Sequence, residues 1–163
     1  MIDNQPPRPY VKAMTRSWKF FGWRLVLAGL LALLLAVPAG AGAVDDANAV
    51  NPGHTLDLQS LAVTGKTTLI DIYSPFCPPC LALAPLIEKL AANRPDLAIK
   101  RVNINRQEVQ EIDWRSPLAQ QYKIRQVPYF MIFDPQGQLV AEGQGAIPQV
   151  ESWLQQAGLL KQP

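Results

Sequence analysis

The strongest constraint on the fold is a junction where an apolar β segment gives way to a helical pattern. Thr67–Tyr73 reads TTLIDIY between Gly65 and Pro75, which is typical of a buried strand. Residues 79–93 then carry apolar side chains at helical spacing, with Pro85 inside the pattern. The sequence Cys77-Pro78-Pro79-Cys80 occupies the junction.

The later segments continue this alternation. Patterning predicts strands at 97–104, 129–134 and 138–142, a turn at 135–137, a short helix at 116–122 and an amphipathic closing helix at 149–160. Residues 44–66 contain turn formers and spaced leucines that fit either a short strand or a helix. The order β, α, β, α, β, β, α predicts an α/β fold, a mixed central sheet with helices on both faces.

The N-terminal segment has the pattern of an export signal. Residues 1–43 carry five basic groups and one acid, and residues 25–37 form a thirteen-residue run without charge. Pro38 and small residues follow, so cleavage after Ala41 or Ala43 fits a secretory signal. Residues 25–44 are uncharged for 20 residues, barely enough to span a bilayer, so an uncleaved anchor touching the membrane through residues 20–44 stays open.

This segment sets the expected organisation and location. We expect residues 1–43 to be a signal peptide or anchor, 44–66 an extension of the domain, and 67–163 the domain itself. Because a basic lead stays on the cytoplasmic side, the domain should face the periplasm or an equivalent compartment. Without residues 1–43 the chain has ten basic and twelve acidic groups, which excludes the basic surface of a nucleic-acid binder.

The cysteine spacing indicates redox chemistry. A two-residue gap closes too short a loop to stabilise a fold, whereas a thiol at a helix N-terminus is favoured as thiolate, the attacking species. Cys77 is predicted to be the exposed nucleophile, and Cys80 to resolve the mixed disulfide. Pro78 and Pro79 have no N–H to offer the Cys77 sulfur. A less stabilised thiolate makes the couple more reducing, which favours a reductase.

The stretch 69–80, LIDIYSPFCPPC, resembles the active-site segment of the thioredoxin superfamily. Asp71 stands six residues before the first cysteine, as the family's buried aspartate does, and Phe76 stands where the family usually has tryptophan. Pro85 matches the proline in the family's helix, and Val127-Pro128 its cis-proline loop. The resemblance covers residues 67–160. With the export signal, it is similar to exported reductases related to the cytochrome-maturation type.

The resemblance implies a thioredoxin fold and a set of roles. Asp71 would accept the proton of Cys80, and Arg101, where the family often has lysine, would either pair with Asp71 or be a solvated strand residue. A cis Pro128 would present the Val127 backbone to a substrate peptide.

The same resemblance implies how substrates bind. Phe76 and Tyr129 would line an apolar docking patch, with Tyr73 either in that patch or in the core. No cofactor beyond a Cys77–Cys80 disulfide is implied. The partners would be protein thiols and disulfides. A reductase that faces outward would also need a membrane electron donor, because its compartment lacks a soluble reducing pool.

The cysteine pair is also compatible with other functions. A zinc site lacks ligands, since there is no third cysteine and His54 is the only histidine. His54 is expected on a surface loop, and no metal site is predicted. A copper(I) chaperone using two thiolates, or a non-catalytic binding module with a structural disulfide, are the alternatives. Asp45 and Asp46 are expected to be a solvated charge pair.

Overall fold

The computed structural model describes residues 42–161, so nearly all of the predicted signal or anchor lies outside the described residues. The strands are β1 (Val44–Asp46), β2 (Thr67–Tyr73), β3 (Leu97–Asn103), β4 (Tyr129–Phe133) and β5 (Leu139–Glu142). The helices are α1 (Pro78–Asn93), α2 (Pro117–Gln121) and α3 (Ile147–Gln156), with 3₁₀ helices at Gln59–Leu61 and Gly143–Ala146.

The strands form one mixed sheet in the order β1-β3-β2-β4-β5. β3 runs parallel to both β1 and β2, while β4 runs antiparallel to β2 and β5. The C-terminal ends of β2 and β3 therefore lie at the same edge of the sheet as the N-terminal end of β4. That edge carries the junction between β2 and α1.

Alternation along the strands divides the core in two. One face packs against α1 and α3, with Leu69 and Ile99 of the sheet meeting Ile87 and Trp153. The other face packs against α2, where Ile70 and Ile72 belong to the same cluster as its buried side chains and Leu58. Because successive side chains of a strand point to opposite faces, each residue of β2 is assigned to one core by its position alone.

The predicted fold class is confirmed, and several bounds differ from the prediction. Val44–Asp46 adds an edge strand. Of the two alternatives for the leucine-containing part of 44–66, the structure has the helical one, as the 3₁₀ helix Gln59–Leu61. The closing helix runs over Ile147–Gln156, starting earlier and ending earlier than 149–160. It ends because Gly158 takes a positive φ of 70°, the left-handed conformation that commonly stops a helix.

The connection from β3 to α2 is a long, internally bonded loop. Asp113, buried in this loop, accepts hydrogen bonds from Nε and Nη2 of Arg106 at 2.7 and 3.0 Å. Gly53, in the turn before β2, packs directly against the start of this loop and donates its N–H to the Asn103 carbonyl at 3.0 Å.

Between residues 42 and 161, no helix is both long enough and apolar enough to cross a membrane.

Candidate active site

Cys77 is the N-cap of α1, directly after the central strand. Ser74 positions the turn: its hydroxyl accepts from the Phe76 N–H at 3.1 Å, and its carbonyl accepts from the Cys77 N–H at 3.2 Å. An N-cap side chain normally accepts from the N–H groups at the second or third helical position. Here the second position is Pro79, so the Cys80 N–H is the donor, at 3.2 Å from the Cys77 sulfur. The Cys77 sulfur therefore lacks the backbone donor that a residue other than proline at position 79 would provide, as the sequence predicts.

Cys77 and Cys80 are joined in a disulfide with a Cα–Cα distance of 5.3 Å. Both cysteines are 2% exposed, so the expectation of an exposed Cys77 is wrong for this oxidised form. The Cys77 sulfur is bonded to Cys80 and lies 3.6 Å from the Val127 carbonyl oxygen, which leaves little of it open to solvent. Phe76, Pro78 and Pro79 are exposed beside it.

The loop before β4 lies against the disulfide. The Val127–Pro128 peptide bond is cis, as predicted, and the Val127 carbonyl oxygen faces the Cys77 sulfur. Tyr129 follows at the first position of β4 and is half-buried, and its hydroxyl donates to the Glu142 carboxylate at 3.3 Å. Burial and the neighbouring Glu142 raise the pKa of Tyr129. The structure thus brings Phe76, Val127, Pro128 and Tyr129 to the same edge of the sheet as Cys77.

Asp71 is buried in the middle of the sheet, 2% exposed. It shares the strand face of Leu69, the face that α1 covers. This is the face on which Cys80 is buried at the start of α1. Burial raises the pKa of the Asp71 carboxyl to about 6, against the lowering effect of the nearby Arg101 charge. A carboxyl that titrates near neutral pH can both accept and release a proton under physiological conditions.

Arg101 pairs with Asp71, which decides between the two expectations for this residue. The two are register partners in β3 and β2, and Arg101 Nε lies 3.4 Å from Asp71 Oδ2. The guanidinium carbon also lies 4.0 Å from the ring centroid of Tyr73, a cation–π contact. Tyr73 is half-buried and lies beside the ion pair. Within residues 42–161, Asp71 Oδ1 has no hydrogen-bond partner.

Asp46 is the residue of this region that sequence reasoning missed. Asp45 and Asp46 are both exposed, as expected of a solvated pair, but they lie in β1, which the sequence did not reveal. The Asp45 carboxylate accepts from Lys100 Nζ at 2.7 Å, whereas Asp46 is the register partner of Arg101. Asp46 also contributes to the raised pKa of Asp71. A three-residue strand has too short a pattern to be recognised in the sequence.

Groups of three or more side chains that could hold a metal are absent from the described part of the chain, residues 42–161. His54 is exposed in the turn before β2. The redox group of the site is the disulfide itself.

A disulfide at the N-terminus of a helix, facing a cis-proline loop on a mixed sheet, defines a protein-disulfide oxidoreductase of thioredoxin fold. Residues 57–156, more than half of the chain, match the thioredoxin family. The chain belongs to that family.

Known proteins similar to this chain agree with this assignment. A thioredoxin-like protein of Fusarium culmorum is 36% identical over 94 residues, 56% of this chain and 71% of the relative. Thioredoxin 1 of Synechococcus elongatus is 36% identical over 90 residues, 55% of this chain and 77% of the relative. The crystal structure of the short form of spinach chloroplast thioredoxin f superimposes with a TM-score of 0.50 at 28% identity, covering 72% of this chain and 96% of that one.

Proposed function

We propose that this protein is an exported thioredoxin-like reductase, of the kind that serves cytochrome maturation, and that it reduces disulfides of other proteins through Cys77 and Cys80. The observation that carries the direction is the donor set of the Cys77 sulfur. Of the two helix N–H groups that an N-cap side chain can use, the one at Pro79 does not exist, and only the Cys80 N–H contacts the sulfur, at 3.2 Å. A thiolate with fewer donors is less stable relative to its disulfide, so the dithiol is the stronger reductant.

The proposed reaction uses the two cysteines in turn. The Cys77 thiolate attacks a substrate disulfide, forms a mixed disulfide and releases the first substrate sulfur as a thiolate, which takes a proton. Asp71 then accepts the proton of Cys80, whose sulfur displaces the second substrate sulfur and closes the Cys77–Cys80 bond; the second sulfur leaves as a thiolate and takes its proton from Asp71 or from solvent. The substrate gains two electrons and two protons. The buried position of Asp71 beneath the start of α1, with its pKa near 6, supports the proton-accepting role.

Substrate docking is assigned to the edge of the sheet around Val127. The polypeptide of a substrate would lie against the backbone of Val127 and Pro128, since the Val127 carbonyl already faces the attacking sulfur. Phe76, 37% exposed, and half-buried Tyr129 would supply apolar contacts on either side.

The proposed location and electron source rest on the sequence pattern of the N-terminal segment. In this proposal residues 1–43 direct export, cleaved after Ala41 or Ala43 or kept as an anchor, residues 44–66 extend the domain, and residues 67–163 work in the periplasm or an equivalent compartment. A reductase there needs electrons from a membrane donor, because a bacterial periplasm is kept oxidising. Thiol alkylation of whole cells tests this: mostly reduced protein agrees with a reductase, and mostly oxidised protein contradicts it.

Two proline variants test the donor argument. Pro79→Ala restores an N–H at the second helical position, where it can donate to the Cys77 sulfur. Pro78→Ala restores an N–H at the first helical position, which does not donate to an N-cap side chain. A hydrogen bond to a charged group stabilises by about 1.5–3 kcal/mol. We therefore expect Pro79→Ala to raise the reduction potential by about 30–60 mV and Pro78→Ala to change it much less. Equal shifts in the two variants would contradict the donor argument.

The roles of the cysteines are tested by their separate removal. Insulin reduction with a dithiol donor should be lost in Cys77→Ser. Cys80→Ala should accumulate mixed disulfides with its substrates, because no second sulfur displaces them. Stoichiometric copper(I) binding by the wild type without any turnover would instead favour a metal chaperone.

A further inference from the structure

A row of charged side chains crosses three neighbouring strands behind the disulfide. Asp46 of β1 is in register with Arg101 of β3, and Arg101 is in register with Asp71 of β2. All three belong to the strand positions that face α1, since Val44, Ile99 and Leu69 of the same alternation pack in that core. The row runs from the exposed carboxylate of Asp46 on the outermost strand, β1, to the buried carboxylate of Asp71 on the central strand, β2.

The single cation of this row lies between two carboxylates. Arg101 Nε is 3.4 Å from Asp71 Oδ2, longer than a good charged hydrogen bond. Its guanidinium is held over the ring of Tyr73 at 4.0 Å. Asp46 carries the opposite charge on β1, the strand that flanks β3 on its other side. Neighbouring strands are about 4.8 Å apart, which puts the Asp46 and Asp71 backbones about 10 Å apart with Arg101 between them.

We propose that Asp46 is a positioning residue for the exchange reaction: from the sheet edge it opposes the charge of Arg101, and so keeps that guanidinium from locking Asp71 in its ionised form. This inference rests on the proposed role of Asp71 as proton acceptor. Without the negative charge of Asp46, Asp71 holds the proton of Cys80 less readily. Asp46 touches neither substrate nor sulfur.

Within residues 42–161, few charged or titratable groups face Asp71. They are Tyr73 on its own strand, Arg101 on β3, Asp46 on β1 and the Cys77–Cys80 pair at the start of α1, while β4 presents Phe130 as the register partner. Of these, Asp46 is the exposed carboxylate, so it can be changed without opening the core. Its contribution to the raised pKa of Asp71 has the sign that the proposal requires.

Asp45 provides a matched control. It is the neighbouring residue of the same strand, is exposed and carries the same charge, but it faces the other side of the sheet, where it pairs with Lys100 at 2.7 Å. Asp45→Asn and Asp46→Asn therefore change net charge and strand composition equally. Asp46→Glu keeps the charge and should restore the wild-type behaviour.

The experiment follows Asp71 directly and through the reaction. The carboxyl carbon of Asp71 is titrated by NMR in the oxidised protein. The pH dependence of mixed-disulfide resolution by Cys80 is measured by stopped flow for each variant. At about 10 Å through a partly aqueous path, we expect Asp46→Asn to move both midpoints down by about half a pH unit. This shift should shrink as ionic strength rises from about 0.02 M to about 0.5 M. Asp45→Asn should move either midpoint by less than about 0.2 pH unit.

The outcomes separate this inference from the proposed role of Asp71. If Asp71→Asn removes the limb of the rate profile near pH 6 but Asp46→Asn behaves like Asp45→Asn, the inference is overturned and the role of Asp71 stands. If Asp71→Asn keeps that limb, both are overturned. A midpoint that moves in Asp46→Asn but returns in Asp46→Glu supports the inference, because a merely structural effect would not follow the charge.

Discussion

Replacing Asp71 with asparagine should stabilise the oxidised protein at neutral and alkaline pH. The carboxyl has a pKa of about 6 in the folded protein against 3.8 as the ordinary value, so the folded state binds more protons than the unfolded state between these values. Stability of the wild type therefore falls as pH rises through this window. The full difference corresponds to about 3 kcal/mol, and about 2–3 kcal/mol of it develops between pH 4 and pH 8.

The measurement is urea unfolding of the disulfide form of wild type and Asp71→Asn at a series of pH values. Any pH-independent effect of the amide cancels, since only the change in the free-energy difference with pH is used. We expect the variant to gain about 2–3 kcal/mol relative to wild type between pH 4 and pH 8. A difference that stays constant with pH would refute the reasoning, because it would mean that burial does not penalise this charge.

A second buried aspartate gives a control of opposite sign. The Asp113 side chain is 3% exposed, but hydrogen bonds from Arg106 hold the pKa of its carboxyl below the ordinary value. Its ionised form stabilises the fold, so the stabilisation is present at neutral pH and is lost as pH falls through the lowered pKa. Asp113→Asn should therefore lose stability relative to wild type as pH rises.

Two further predictions concern Arg101 and Gly53. Arg101→Gln removes the charge that lowers the pKa of Asp71, so the NMR midpoint of Asp71 should move above pH 6; a midpoint that falls would show that Arg101 does not act through its charge. Gly53→Ala places a Cβ 2.5 Å from the backbone nitrogen of Arg106, at a residue whose φ is 76°. The free energy of unfolding in urea should therefore fall by about 2–5 kcal/mol. Gly65 also has a positive φ, 82°, but a Cβ there would meet open space, so Gly65→Ala should lower the free energy of unfolding by only about 1–2 kcal/mol. Equal losses in the two variants would contradict the steric argument.

Much of the fold was predictable because its signals are local. The buried strand Thr67–Tyr73 was found at its observed bounds, and the Ser116 cap with Pro117 at the first turn marked the start of α2. The cysteine pair, the two intervening prolines and Val127-Pro128 are contiguous motifs. Their meaning depends on a few neighbouring residues, so the sequence by itself determined the fold class, the redox chemistry and the loss of a donor at Pro79.

Tertiary structure decided what depends on strand register and burial. No sequence pattern could place Asp46 beside Arg101, because they are far apart in the chain and β1 has only three residues. Whether Arg101 would pair with Asp71 was undecidable until parallel pairing put them opposite each other. The near-neutral pKa of Asp71 likewise arises from desolvation under α1, and desolvation exists only once distant segments have packed together.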